Sequence, residues 1–294
     1  MTKIEFKINQ ELREIKHFHK VDNPISIVSN KRDHDIRQDM RRIAHDARNF
    51  GIGVTANRKG DIGKWTNEDV SKMVDYYKIK GLEDSTIINY VSSLRSFLFE
   101  TKRTNITASN SELELKRVME YKDKSLKAKG ININEKLAYF KEKDVNVYTQ
   151  LKLAAIAGLR REESIHAGLA IAQKHTILNL KNNTLEMKGS WCKGTRQRNI
   201  PLSDKEVAEI KELQKYVTGG KYKMDRDLKQ EKNHLSNAIR AQGFNIHAVR
   251  HTNAQEKYSE LIDKGFTEKS AKMPVTERLG HNREYITKVY LVGK

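Results

Sequence analysis

Among the many basic residues of this chain, Arg160, Lys193, His247, Arg250, His251 and His281, with Glu163 and Tyr290, form a spaced set whose types suit work on a phosphodiester. Attack on phosphorus loads negative charge onto the two non-bridging oxygens, and the departing sugar oxygen needs a proton. Cations aimed at those oxygens are the largest single aid. Arginine suits the task because its planar fork can hold two phosphate oxygens and it does not deprotonate. Arg160 and Arg250 would grip a phosphate from two sides if the fold brings them together. Tyr290 offers a phenol as nucleophile. Its free pKa of about 10 means that it must lose its proton as it attacks, helped by the surrounding cations.

Each residue also has a plainer reading. A lysine in a hairpin turn, as Lys193 would be, is usually solvated, and a lone histidine is usually packed or exposed. Glu163, one turn after Arg160, reads either as a group that orients catalytic side chains without touching DNA or as a structural ion pair. His251 reads as a hydrogen-bonding residue within the helix that presents Arg250. Cys192 beside Lys193 reads as a small filler, since no base is assigned to activate it. The sequence has no P-loop, no G-x-G-x-x-G and no H-E-x-x-H, and His17 and His19 lack a carboxylate or cysteine at metal spacing.

Composition narrows the partner. A formal net charge of +18 exceeds what solubility needs and points to a polyanion, with double-stranded DNA ahead of an anionic membrane. No apolar run approaches the roughly 20 residues that span a bilayer. The first residues lack the apolar segment of a signal peptide. The single cysteine excludes an internal disulfide and a Cys-based zinc site. The expectation is a cytoplasmic, nucleoid-associated protein without membrane partners.

The elements that must position these groups fall into two domains. Residues 1–24 form an N-terminal segment in which Ile4, Phe6 and Ile8 alternate as in a short strand. Lys16 to Lys20 is basic and His-rich, so the segment reads as a strand, a DNA-contacting arm or a disordered tail. Residues 25–121 read as a small four-helix domain. Its first helix starts at Asn30, buries Ile36, Met40, Ile43, Ala47 and Phe50, and ends at Gly51 and Gly53. The second is capped by Thr66 with Asp69, stapled by Trp65 and Val70, and stopped at Gly81. A third runs from about Asp84 to Lys102, burying Ile87, Val91, Leu94 and Leu98, and a fourth from about Ser109 to Tyr121. Residues 122–132 are charged and poor in large apolar groups, as in a linker. Residues 133–294 are mostly helical. Val147, Leu151, Ala154, Ala155 and Gly158 form a face leading into Arg160, and short strands follow at 176–180, 184–189 and 198–202. Lys181-Asn182-Asn183 is the first turn, and Lys193-Gly194-Thr195 lies in the second.

In their order, Gly158-Leu159-Arg160-x-x-Glu163, Lys193, His247-x-x-Arg250-His251, Leu279-Gly280-His281 and Tyr290 resemble the tyrosine recombinase (phage integrase) family from about Val147 onward. The interval of nine between His281 and Tyr290 is the one this family uses, and Tyr285 lies off it. The segment Trp191-Cys192-Lys193-Gly194-Thr195-Arg196-Gln197-Arg198-Asn199-Ile200-Pro201-Leu202 is similar to the family's lysine β-hairpin. Here Ser190-Trp191-Cys192 replaces the usual glycine lead-in, and Arg196 stands where a lysine is common.

The resemblance implies a mainly α fold with a small antiparallel β-sheet. An N-terminal four-helix, SAM-like core-binding domain would be followed by an α+β catalytic domain, the two clamping duplex DNA. The helix from Thr86 to Phe99, with Tyr90, Leu94, Arg95 and Phe97, is the most recognisable part of the first domain. It further implies Arg160, Lys193, His247, Arg250, His281 and the nucleophile Tyr290 as catalytic residues, supported by Glu163 and His251. Lys193 would be the general acid, its pKa lowered by neighbouring arginines. Arg37, Arg41, Arg48, Arg95, Lys124, Lys127, Lys129, Arg196 and Arg198 are expected to hold DNA, mostly through phosphates and with steep salt dependence.

The implied activity is site-specific cutting and rejoining of DNA through a 3′-phosphotyrosine, needing neither metal nor ATP, in the service of a mobile element or phage. The alternatives are a type IB-like DNA-relaxing enzyme and an inactive DNA-binding regulator. Family members act as tetramers, and an accessory DNA-bending or directionality protein is a possible partner. Two departures stand out. Only Leu291-Val292-Gly293-Lys294 follow Tyr290 here, so assembly through a long tail is not expected. The stretch Gly265 to Pro274 reads as an insertion before the second histidine box.

Overall fold

Ile4, Ile8 and Leu12 recur every four residues, and in the computed structural model they line the buried face of an α-helix, α1 (Lys3–Glu14), with Phe6 turned out at 58% exposed. The alternation of Ile4, Phe6 and Ile8 therefore does not make a strand, and residues 3–24 are neither a tail nor a free arm. The structure describes residues 3–52, 62–103, 106–118, 121–173, 178–179, 182–193, 196–223, 225–281 and 284–292. Two compact units are present, Met1–Met119 and Glu120–Lys294.

In the first unit a short antiparallel hairpin, β1 (His19–Lys20) and β2 (Asn23–Ile27), follows α1. Next come α2 (Asn30–Phe50), α3 (Asn67–Ile79) and α4 (Asp84–Glu100). Ile36, Met40, Ile43 and Ala47 of α2 are buried as expected, whereas Phe50 is exposed against Tyr76. Gly51 ends α2 in the left-handed region at φ 65°, and Gly53 lies outside the described residues. Asp69 accepts from the Thr66 N–H at 2.8 Å, and Trp65 and Val70 are both buried, as the stapled helix start requires.

The predicted fourth helix is a single turn. The Ser109 N–H donates to Glu112 and the Glu112 N–H to Ser109, but Glu114 then adopts φ 53° and reverses the chain. Leu113 and Leu115 are both buried, two residues apart, which no continuous helix face allows. Among the described residues the unit's α-helices are α1 to α4.

The N-terminal segment is bound to this core by charge. Arg37 on α2 pairs with Asp33, donates to the carbonyls of Leu12 and Ile15, and sits over the Phe18 ring. Glu11 pairs with Arg103, and Glu100 accepts from the His19 N–H at 2.8 Å. Arg95 likewise turns inward, donating to Ala108 O and to Asn110 Oδ1. Arg37 and Arg95, expected on DNA, are therefore committed to the fold. Arg41 and Arg48 are exposed, and Arg41 donates to Asn9.

The second unit is built around α6 (Val145–Ala157), which buries residues on every side and packs against α5 (Ile133–Lys143), α7 (Arg161–Ala172), α8 (Asp204–Val217) and α10 (Ile246–Asp263). A three-stranded antiparallel sheet in the order β3 (Leu178–Asn179), β4 (Thr184–Met187), β5 (Arg198–Pro201) lies between α7 and α8 in the chain. Its register pairs Leu185 with Ile200 and Met187 with Arg198. Thr176, Leu180, Lys181, Gly194 and Thr195 fall outside the described residues. After α8 come α9 (Leu228–Ala241), α10, α11 (Glu268–Leu279) and α12 (Glu284–Lys288).

Two expectations change here. The supposed linker is packed onto this unit: Leu126 is buried in its core, the Leu126 N–H donates to Thr252 Oγ1, and Asp123 accepts from Gln255. The supposed insertion is α11 itself. Thr267 caps it, Ala271 and Val275 are buried, and it runs directly into Leu279-Gly280-His281.

Arg37→Ala should destabilise the first unit by about 2 kcal/mol, the scale of lost charged hydrogen bonds. Arg41→Ala should change it by less than about 0.5 kcal/mol, as surface changes do. Urea unfolding of the two variants against the parent chain checks both.

Candidate active site

Two glycine turns frame the site. Gly158 ends α6 at φ 62°, and a Cβ there would lie 2.6 Å from Asn253 Oδ1. Gly280 ends α11 at φ 60°, and a Cβ there would lie 2.7 Å from Arg198 Nη1. Both positions need the left-handed backbone and both admit a neighbour too close for any side chain. Arg160 follows the first turn as the N-cap of α7, and His281 follows the second.

Arg250, on α10 and 1% exposed, joins the two turns. It donates through Nη1 to Gly158 O and through Nη2 to Leu279 O, and Nη2 is 3.4 Å from His281 Nε2. Arg160 also donates to Leu279 O, at 3.3 Å. Burial first, and then Arg160, depress the Arg250 pKa to about 10, which still leaves it charged near neutral pH.

Glu163 is the counter-charge. Its carboxylate accepts from the Arg160 backbone N–H at 2.8 Å, from Arg160 Nη1 at 2.7 Å and from Arg198 Nη2 at 2.7 Å. Burial pushes its pKa up, but Arg198 and Arg160 outweigh that and the net shift is downward. Arg198 also donates to Arg278 O at 2.7 Å. Expected to hold DNA, Arg198 is largely buried, pairs with Glu163 and lines the cleft.

Tyr290 sits in a turn after α12, its N–H donating to Thr287 O at 2.9 Å. Its ring stacks on His251 at 4.2 Å between centroids and 21° between planes. His281 lies at 5.0 Å and His247 at 5.4 Å, and the Arg250 guanidinium is 5.7 Å from the ring centre. His251 does not hydrogen-bond within its helix as expected; among the described residues neither ring nitrogen has a partner. Burial first, then His247, depresses its pKa to about 4, and burial, then Arg250 and Arg160, depresses that of His281 to about 3. His247 is lowered for the same reasons, burial before Arg250. All three rings are neutral near neutral pH.

These residues open onto one cleft of about 1030 Å³, lined by Arg160, Lys193, His247, Arg250, His281 and Tyr290. Lys193 and Arg196 are exposed there, and Cys192 lines it from a buried position that raises the thiol pKa. Tyr285 is absent from the lining. Lys124, Lys127 and Lys129 are exposed on this unit, and Lys124 is near enough to lower His247 and His251. Among the described residues no cluster of His, Cys, Asp and Glu is suited to hold a metal ion.

Sequence reasoning missed Arg278 and Asn253. Arg278 is buried and donates to Ile156 O, Pro201 O and Glu206, and its Nε donates to Asn253 Oδ1 at 3.2 Å. Asn253 donates to the Ala155 and Ile156 carbonyls, closing the open end of α6. Only their adjacency to the two histidine boxes could have signalled them. Arg161 and Arg240 also line the cleft without having been singled out.

No family model matches this sequence, and no curated protein matches it significantly. Solved structures do resemble it. The Tn1549 transposon integrase in complex with transposon right-end DNA superposes with a TM-score of 0.59 at 14% identity, covering 100% of this chain and 96% of that one. A lambda integrase dimer bound to a COC′ core site gives 0.57 at 13%, covering 90% and 72%. XerH site-specific recombinase bound to a palindromic difH substrate gives 0.55 at 16%, covering 87% and 73%. At these identities the likeness is one of fold, and the fold is that of the tyrosine recombinases its motifs resemble. No helix among the described residues is long and apolar enough to cross a membrane.

The low histidine pKa values set an acid limit. The unfolded chain, with histidines near 6.5, takes up protons before the folded one. Stability present above pH 6.5 is therefore lost as pH falls toward 4 and then 3. Melting temperatures across that window should fall less steeply for His251→Phe, which keeps a stacking ring without the titration.

Proposed function

We propose that the second unit cuts and rejoins duplex DNA at specific sites by transesterification through Tyr290. The observation that carries this reading is the convergence on one cleft of Arg160, Lys193, His247, Arg250, His281 and Tyr290, from elements far apart in sequence. The phenol oxygen of Tyr290 attacks the scissile phosphorus and gives up its proton. A 3′-phosphotyrosyl bond forms and the 5′ oxygen leaves, protonated by Lys193. Attack by a 5′ hydroxyl then reverses the sequence and frees Tyr290. One phosphoester replaces another at each step, so the reaction calls for neither metal nor ATP.

The role of each group follows from its surroundings. Arg160 has two nitrogens committed to Glu163 and Leu279 O and keeps N–H donors for a non-bridging oxygen. Arg250 keeps an unused N–H on Nη1, whereas Nη2 faces both Leu279 O and His281 Nε2. Neutral His281 and His247 donate hydrogen bonds to the same phosphate without adding charge that the site must balance. Arg41, Arg48, Arg196 and the lysines at 124, 127 and 129 hold flanking phosphates.

The neighbours described above are integrases and recombinases solved on DNA, and the fold likeness supports the same substrate class here. An integrase of a mobile element, acting as a tetramer on paired sites, is the form of the activity that fits best. A monomeric DNA-relaxing enzyme would use the same bond but no preferred site.

A nicked suicide duplex that releases its short 5′ strand should trap a covalent adduct on the parent chain and none on Tyr290→Phe. Arg160→Ala should slow adduct formation by about 10²-fold, the usual consequence of losing one charge-stabilising donor. Failure of the parent chain to form any adduct on duplexes tiled from the DNA flanking its gene would refute the catalytic reading.

A further inference from the structure

The connection from β4 to β5 carries Lys193, and just before it the sequence departs from the family pattern with Ser190-Trp191-Cys192. Ser190 and Trp191 lie in a 3-10 turn, Gly189–Trp191, that Cys192 ends; the Trp191 N–H donates to Lys188 O and the Cys192 N–H to Gly189 O, both at 3.0 Å. The Trp191 indole lies parallel to the His166 imidazole, with 6° between planes and 5.6 Å between centroids. Lys188 Nζ is 5.4 Å from the indole ring. His166 stands on α7, the helix whose N-cap is Arg160. Cys192 is buried in the core beside the Arg198 guanidinium, and Lys193 is exposed in the cleft. Three successive residues thus meet α7, the core and the cleft.

We propose that Trp191 is the positioning residue for Lys193. Its stack on His166 ties the root of the hairpin to the helix that carries Arg160. The ammonium then enters the cleft from a fixed origin relative to the phosphate-binding arginine. A lysine stem has many rotamers, and fixing its backbone removes part of the search that a proton transfer would otherwise wait on. The inference rests on the reading of Lys193 as proton donor.

The test separates proton donation from other losses. On a duplex with a 5′-bridging sulfur, the leaving group departs as a thiolate, with a thiol pKa of about 8.5, and needs no general acid. Trp191→Ala should cleave the ordinary nicked duplex at least about 10-fold more slowly than the parent chain, as a displaced catalytic group does. On the sulfur duplex it should recover to within about 3-fold of the parent, and Trp191→Phe should stay near the parent on both. DNA affinity should be unchanged. His166→Ala removes the same stack from the other side and should behave alike, which guards against a variant that fails to fold. Trp191→Ala cleaving like the parent, or equally slowly on both duplexes, would overturn the inference. Lys193→Ala is the control for the underlying reading. If sulfur does not rescue it, the donor lies elsewhere and the positioning role falls with it.

Discussion

One buried guanidinium holds the second unit's site together. Arg250 bonds the carbonyls of Gly158 and Leu279, which belong to the glycine turns that deliver Arg160 and His281. Arg160 also reaches Leu279 O, so two guanidiniums fix the separation of the turns, and Arg250 is the one that bonds both carbonyls. Burying that charge is costly, and hydrogen bonds on both terminal nitrogens with Glu163 nearby offset the cost. Without the side chain, the two carbonyls would lose buried donors, and Arg160 would lose the frame that orients it.

A cleft this basic has to be kept from repelling itself. Glu163 does so by pairing with Arg160 and Arg198 from a buried position, which consumes part of the positive charge while leaving donors on Arg160. The histidines contribute by staying neutral. Burial and the neighbouring arginines depress their pKa values, so three imidazoles gather round the Tyr290 ring without adding net charge. The same burial that serves the cleft near neutral pH makes it acid-sensitive.

Basic residues divide into those that build the fold and those left for a ligand, and residue type does not distinguish them. Arg37, Arg95, Arg198 and Arg278 turn inward onto carbonyls and carboxylates, while Arg41, Arg48, Lys193 and Arg196 remain exposed. A guanidinium can satisfy several buried acceptors at once, which is why the arginines are so often drawn inside. The lysines at 124, 127 and 129 stay outside.

Helix faces were legible in the sequence because burial follows a local period. The repeats of Ile36, Met40 and Ile43, or of Val147, Leu151 and Ala154, specify a helix and its inner side without reference to anything distant. The motif order from Gly158 to Tyr290 likewise named groups that meet at one cleft. Where two periods competed, the local signal failed. Ile4 to Ile8 satisfies both a strand and a helix, and only the packing of Leu12 and Phe18 into the first unit's core decides between them. Leu113 and Leu115 are split by a left-handed Glu114 that no propensity foretells. What the sequence determined by itself was the identity of the chemical groups and the elements bearing them. Tertiary structure alone decided which cations face the cleft, that Glu163 balances Arg198, and that Tyr290 rests on His251. Those outcomes depend on contacts between residues far apart in the chain, which spacing along it does not encode.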